Sequence, residues 1–216
     1  MGETDYEKDM RAYYAARASY YDWQYEIGEF KEEWSRIRDF LKQVLVGHRI
    51  LEVACGTGYW TKEVGEVAES VMATDAVEGP LAIARERLAG MENVSVRKCD
   101  AYDLSSLPWG FSAGFHFQWI SHVPKSRLRE FHSGFQGRLT PGALIVFGDN
   151  CMEGDREDDE GNHYHIRELR DGSSHAVIKN WLREEDVKSL LGDEVEDIDY
   201  HVFGRCWLAS CRLSEV

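Results

Sequence analysis

One stretch limits what this chain can fold into more than any other. Arg49-Ile-Leu-Glu-Val-Ala54 is a short, mostly apolar run, and Cys55-Gly-Thr-Gly58 follows it at once. Such a run suits a buried parallel strand. The two glycines permit positive φ and let a ligand approach the backbone closely. Tyr59 to Ala68 then reads as a helix. In an open α/β sheet a turn of this kind lies at the carboxyl ends of the strands, where ligands bind.

The rest of the chain keeps the same rhythm for a while. Val71–Thr74, Val94–Arg97, Ala113–Phe117 and Ala143–Phe147 read as strands, with helices expected over Pro80–Leu88 and Ser126–Leu139. Alternation of this sort predicts a parallel sheet flanked by helices. Upstream, residues 6–46 read as helical, because Phe30, Trp34, Ile37, Leu41 and Val44 recur at steps of three and four. The segment Tyr6 to Tyr21 is rich in tyrosine and carries Arg11 and Arg17. The last third departs from the pattern. Residues 154–161 form a charged loop bounded by glycines, His175–Lys179 is an expected strand, and Glu184–Leu191 an expected helix. Val195–Val202 and Arg205–Leu213, separated by a short gap, predict an antiparallel hairpin at one edge of the sheet. The resulting division is an N-terminal helical lid over 1–46 and one compact domain over 47–216.

Charge narrows the partners. Lys and Arg number 25 against 39 Asp and Glu, a net charge of −14. Nucleic-acid binding draws mainly on basic side chains, so no nucleic-acid partner is expected. The N-terminus, Met1-Gly-Glu-Thr-Asp5, has no apolar leader, and no run of about 18 apolar residues suggests a membrane span. The five cysteines show no metal-type spacing. A cytoplasmic monomer or homodimer is expected. His163 and His165 would share one side of an extended segment, within range of Asp149 or Asp155. A solvated loop beside the substrate explains the same residues, and no metal is expected.

The chemistry concentrates at three strand ends. Glu52 precedes the glycine turn, Asp75 ends the second strand 19 residues after Gly56, and Asp100 follows the third. A carboxylate at the second position can accept from both hydroxyls of a ribose. A dinucleotide site would require G-x-G-x-x-G, but Thr61 stands at the third glycine, bulky Tyr59 and Trp60 intervene, and Glu52 adds negative charge. A cationic, phosphate-free nucleoside suits the site better, and S-adenosylmethionine is one.

With Glu52-Val-Ala-Cys-Gly-Thr-Gly58, Asp75, Asp100 and Phe117-Gln-Trp-Ile-Ser-His-Val-Pro124, the chain resembles a class I, Rossmann-like S-adenosylmethionine-dependent methyltransferase. The likeness is to the small-molecule enzymes of the type 11/type 25 group. The resemblance implies a three-layer sandwich, with a seven-stranded, mostly parallel sheet whose last strand is antiparallel, under an N-terminal helical cover. It implies that Glu52, Ala54, Gly56, Thr57 and Gly58 line the methionine end of the cofactor, with Phe117 nearby. Asp75 would hold the ribose, Ala76 would lie beside the adenine, and Asp100 and Ala101 would contact its edge. Tyr14, Arg17 and Tyr21 would cover the cofactor, Arg17 by pairing with its carboxylate. His122, just past the fourth strand, is the candidate general base.

The expected reaction is methyl transfer from S-adenosylmethionine, leaving S-adenosylhomocysteine, to O, N or S of a small metabolite. The alternatives are a protein methyltransferase, a non-catalytic methyltransferase-like subunit and a nicotinamide-dependent oxidoreductase.

Overall fold

The computed structural model describes residues 5–215. The leaderless reading of the N-terminus falls largely on residues outside that range. In chain order, α1 (Asp5–Arg17), the single turn α2 (Trp23–Glu26) and α3 (Lys31–Leu45) precede β1 (Arg49–Val53). Next come α4 (Tyr59–Gly65), β2 (Ser70–Asp75), α5 (Glu78–Leu88), β3 (Val94–Lys98) and β4 (Phe111–Phe117). Then follow α6 (Leu128–Gln136), β5 (Leu139–Asn150), β6 (Arg156–Glu157), β7 (His163–Glu168) and β8 (Ser174–Ile178). The chain closes with α7 (Glu184–Leu191), β9 (Val195–Phe203) and β10 (Cys206–Leu213).

Seven strands form one sheet in the order β3-β2-β1-β4-β5-β10-β9. The pairs from β3 to β5 are parallel, and β10 runs antiparallel to both of its neighbours. Period-2 alternation sorts the apolar side chains onto two faces. Leu51, Val53, Ile145, Phe147 and Trp207 pack with Phe131 and Phe135 of α6 and Val187 and Leu191 of α7. Ile50, Val146 and Leu208 pack on the other side with Ile37 and Leu41 of α3, Val64 of α4 and Leu81 of α5. The result is the three-layer sandwich, with its antiparallel terminal hairpin at the sheet edge.

Two expectations need correcting. The helical stretch over 6–46 is broken twice, because Asp22 turns the chain after α1 and Ile27 adopts an extended conformation (φ −62°, ψ 117°) before Gly28. The charged loop near 154–161 is also not structureless. β6, β7 and β8 form a small antiparallel sheet of their own. β7 reads His-Tyr-His-Ile-Arg-Glu and is half exposed, so it lacks the apolar alternation that marks a strand.

α1 lies across this small sheet. Asp9 accepts from the Ala176 backbone N–H (2.6 Å) and pairs with His175 Nδ1 (2.7 Å). Met10 and Tyr13 bury themselves against Leu169 and Val177. Glu7, buried, accepts from Arg127 Nη1 at 2.5 Å and ties the same helix to the turn before α6.

Candidate active site

At the carboxyl end of β1 the chain must turn sharply to enter α4. Ala54 takes a left-handed conformation (φ 57°), as do Gly56 (φ 56°) and Gly58 (φ 73°). Gly58 caps α4 and packs so closely on α5 that an added Cβ would stand 3.0 Å from Leu88 and 3.2 Å from Ala84. It supports the turn from behind and does not line the pocket in front.

That pocket, about 990 Å³ with its mouth, spans the ends of β1, β2, β3 and β4. Glu52, Ala54, Gly56 and Thr57 line it from the turn, with Asp75 and Ala76 after β2. Asp100 and Ala101 line it after β3, and Phe117 and His122 after β4. From the N-terminal segment come Tyr14 and Tyr21. Arg17 does not line it. Its guanidinium donates to the Tyr13 hydroxyl (2.8 Å) and packs over the Tyr21 ring.

The carboxylates differ in how they are held. Asp75 Oδ2 accepts from the Gly56 N–H (2.9 Å) and Oδ1 from the Val77 N–H (2.8 Å), which clamps turn and strand end together. Asp100 accepts from the Tyr102 N–H (3.0 Å) and from Arg11 of α1 (2.7 Å). Glu52 is 3% exposed, and its Oε2 has no hydrogen-bond partner. Burial, reinforced by the charge of Asp75, pushes its carboxyl up to about 8. The Thr61 hydroxyl beside it offsets part of that rise, and leaving Oε2 buried without a partner is costly.

A latch closes one side. Thr57 Oγ1 donates to Asp22 (2.6 Å), Arg87 of α5 pairs with the same aspartate, and Arg87 also donates to the Thr57 carbonyl (2.9 Å).

His122 sits on the short turn after β4 and is 4% exposed. Its Nδ1 lies 2.6 Å from the Ile178 carbonyl and its Nε2 2.8 Å from the Tyr14 hydroxyl. A carbonyl can only accept, so the ring proton is assigned to Nδ1, and Tyr14 donates to the lone pair on Nε2. Burial, with the nearby Lys179 charge, lowers His122 to about 3, so the ring is neutral. Lys179 is itself buried, bonded to Asp149 (2.6 Å) and Ser121 (2.8 Å). Asp149 is thereby committed inside the molecule, while His165 Nδ1 meets Asp155 at 2.9 Å.

Several lining residues escaped the sequence reading. Tyr25 stacks on Tyr59 with ring centres 4.1 Å apart, and its hydroxyl donates to Gln118 (2.6 Å). Gln118 has φ 57° and extends the pocket wall past Phe117. Trp60, Trp119 and Arg11 also line the wall. Tyr59 and Trp60 did carry a signal, as bulky residues directly after the glycine turn. Tyr25 carried none, since it reaches the site through an irregular segment.

Comparison with known proteins agrees with this geometry. Residues 50–142 match a family model described as a methyltransferase domain. The chain is 32% identical over 109 residues to Protein-L-isoaspartate O-methyltransferase 2 of Polaromonas sp. (strain JS666), covering 49% of this chain and 51% of that protein. It is 29% identical over 123 residues to the Ubiquinone biosynthesis O-methyltransferase of Ruegeria pomeroyi, covering 55% and 46%. The chain thus spans about half the length of the curated relatives it matches. Among solved structures it is similar to DhpI. The DhpI-SAH complex is 26% identical with a TM-score of 0.81, each chain covered to 97%. The DhpI-SAM-HEP complex is 25% identical with a TM-score of 0.82, covering 98% of this chain and 100% of the other. Residues 50–142, which carry the glycine turn, are thus a methyltransferase domain, on the Rossmann-like seven-stranded fold that the chain shares with the DhpI complexes.

Proposed function

We propose that the chain moves the methyl group of S-adenosylmethionine to an oxygen, nitrogen or sulfur nucleophile of a small molecule by in-line displacement. The observation that carries this reading is one roofed pocket holding both a buried carboxyl, Glu52, whose Oε2 has no hydrogen-bond partner among the described residues, and a Tyr14–His122 hydrogen-bonded pair. α1 lays Met10, Arg11 and Tyr14 over that space. A roof of this kind favours a small acceptor over a protein segment, which needs an open groove. The room inside argues against a non-catalytic subunit.

The residues suit the cofactor by charge. Glu52 would take its ammonium, beside Ala54, Gly56 and Thr57, with Phe117 close by. Asp75 keeps free lone pairs beyond its two backbone bonds and would take the ribose hydroxyls, with Ala76 next to the adenine. Asp100 and Ala101 would meet the adenine edge, and Tyr14 and Tyr21 would cover the whole. Arg17 is left out of this set, because it stands on the far side of the Tyr13 and Tyr21 rings. Bound there, S-adenosylmethionine supplies a methyl group on a sulfonium, an electrophile that needs no further activation.

What remains for the protein is alignment and a proton. Holding the nucleophile at about 3–3.5 Å along the attack line removes much of the entropic barrier. For a hydroxyl acceptor, the Tyr14 oxygen accepts the acceptor proton while Tyr14 passes its own to His122 Nε2. His122 is a weak base, and a weak base suffices because an oxygen that has gained a methyl group is strongly acidic.

Calorimetry with S-adenosylmethionine, S-adenosylhomocysteine and NADH tests the cofactor half, with binding expected for the first two alone. A labelled-methyl screen over phenols, amines, thiols and carboxylates tests the acceptor half. Label appearing only on protein segments would overturn the small-molecule reading.

A further inference from the structure

One tyrosine ring away from the pocket, Arg17, Arg167 and Arg170 line a second, open groove together with Tyr13 and Tyr20. Several arginines elsewhere are matched by carboxylates, Arg38 with Glu63, Arg85 with Glu78, Arg87 with Asp22 and Arg127 with Glu7. In the groove no such match is made among the described residues. Arg17 donates to the Tyr13 hydroxyl, and its guanidinium carbon lies 5.6 Å from the centre of that ring. Arg167 lies 5.9 Å from the same centre, and its Nε is buried without a hydrogen-bond partner. Arg170 covers Tyr20 at 4.1 Å. The other polar members of the groove are Glu168, which is exposed, and His165, which is engaged with Asp155.

Both guanidiniums lie near the neutral Tyr13 ring, at 5.6 and 5.9 Å from its centre, and neither has a carboxylate partner among the described residues, so an anion arriving there would be the first opposite charge they meet. Their forked N–H groups match carboxylate and phosphate oxygens. In a chain of net charge −14 such a concentration is a local exception. The groove also borders the reaction site across one pair of rings. Tyr13 touches Tyr14 with ring centres 5.1 Å apart, and Tyr14 donates to His122.

We propose that the methyl acceptor carries an anionic group, a carboxylate or a phosphate-type group, which seats on Arg17 and Arg167 while the nucleophile reaches Tyr14. This rests on the methyltransferase reading and adds the acceptor's charge to it. The charged end fixes the molecule's orientation, so that the nucleophile enters the pocket first.

The test titrates the protein with inorganic phosphate and, separately, benzoate, with and without saturating S-adenosylhomocysteine, by calorimetry at low and high salt. One anion is expected to bind saturably, at least tenfold more weakly in Arg167→Gln and in Arg17→Gln, and more weakly in 0.5 M salt (~3 Å screening at molar salt). Phosphate binding selects the tetrahedral group and benzoate binding the planar one. S-adenosylhomocysteine affinity of Arg167→Gln stays within about twofold of wild type, which also shows that this variant is folded. No saturable binding of either anion to wild type, or equal binding by both variants, overturns the proposal. Failure of the wild type to bind S-adenosylhomocysteine overturns the methyltransferase reading instead, because the anion titration of the free protein stands by itself. In the labelled-methyl screen, anionic acceptors are expected to outrun neutral analogues, and Arg167→Gln to slow the anionic ones alone.

Discussion

Tyr14 donates a 2.8 Å hydrogen bond to Nε2 of His122, and the Ile178 carbonyl 2.6 Å from Nδ1 leaves the imidazole no other tautomer. Helix α1 and the turn after β4 thus meet in one hydrogen bond at the pocket wall, between residues 108 apart. Tyr14→Phe keeps the ring and removes the proposed proton path. Turnover of a hydroxyl acceptor is expected to fall on the order of 100-fold, with S-adenosylhomocysteine affinity changed less than about threefold. His122→Ala should match it, and the double variant should lose little more. Steady-state kinetics of the three variants decides the point, and full turnover in Tyr14→Phe would remove the relay.

Glu52→Gln is expected to trade binding for stability. Burial raises this carboxyl from 4.5 to about 8. The unfolded chain ionises first, so folding free energy is lost as pH rises through that window. Glutamine removes the loss, and the variant should be more stable by roughly 2–3 kcal/mol at pH 7. Its affinity for S-adenosylmethionine should fall at least tenfold. In the wild type, cofactor binding below pH 8 should release a proton as Glu52 ionises against the ammonium. Thermal melts give the first result and calorimetry in buffers of different ionisation enthalpy the second.

Asp75→Ala removes the acceptor from both the Gly56 and the Val77 N–H groups. Each donor left without a partner costs about 1–3 kcal/mol. The turn should loosen and cofactor affinity drop at least tenfold, as read by denaturant melts and calorimetry. Unchanged affinity would sink the ribose assignment.

Acid should unfold this protein through its buried imidazoles. His132 is lowered by burial to about 4 and His122 to about 3, and His116 is lowered by burial with His132 close by. Among the described residues His116 and His132 have no hydrogen-bond partner on either ring nitrogen. The unfolded chain takes up these protons near the ordinary 6.5, before the folded chain does. Stability from this source is complete above about pH 6.5 and drains as pH falls toward the folded values, by about 1.4 kcal/mol per histidine per pH unit. His132→Phe should flatten that slope in melts between pH 4 and 7.

The two turn glycines should respond differently to alanine. At Gly58 the added methyl would press on Leu88 and Ala84 from a left-handed backbone, at a cost of about 1–3 kcal/mol. At Gly56 it meets nothing within 4 Å, so stability falls less. That methyl would still narrow the pocket that Gly56 lines. Melts and cofactor titration of the two variants separate the effects.

The middle of the parallel sheet was legible because β1 and β4 are buried on both faces and therefore read as mostly apolar runs, such as Ile50-Leu-Glu-Val53. Glu52, Asp75 and Asp100 were legible because they stand at strand ends, at positions the topology brings together. β7 was not, since a half-exposed strand of His, Tyr and Arg carries no hydrophobic period. Tyr25 and Gln118 were not, because they depend on an irregular turn and a left-handed backbone. Arg17 was read toward the cofactor, but the single-residue step from Tyr14-facing to Tyr13-facing on a helix places it in the neighbouring groove. Spacing alone leaves such rotations open.

Asp22, Thr57 and Arg87 come from three separate segments, yet each satisfies the other two. Their energies are therefore not separable parts. Truncating any one already strands its companions, so the triple replacement should be barely worse than the worst single. The stretch linking α1 to α3 is in this sense not an appendage of the sheet but a fourth side of the glycine bend, bolted on by one arginine.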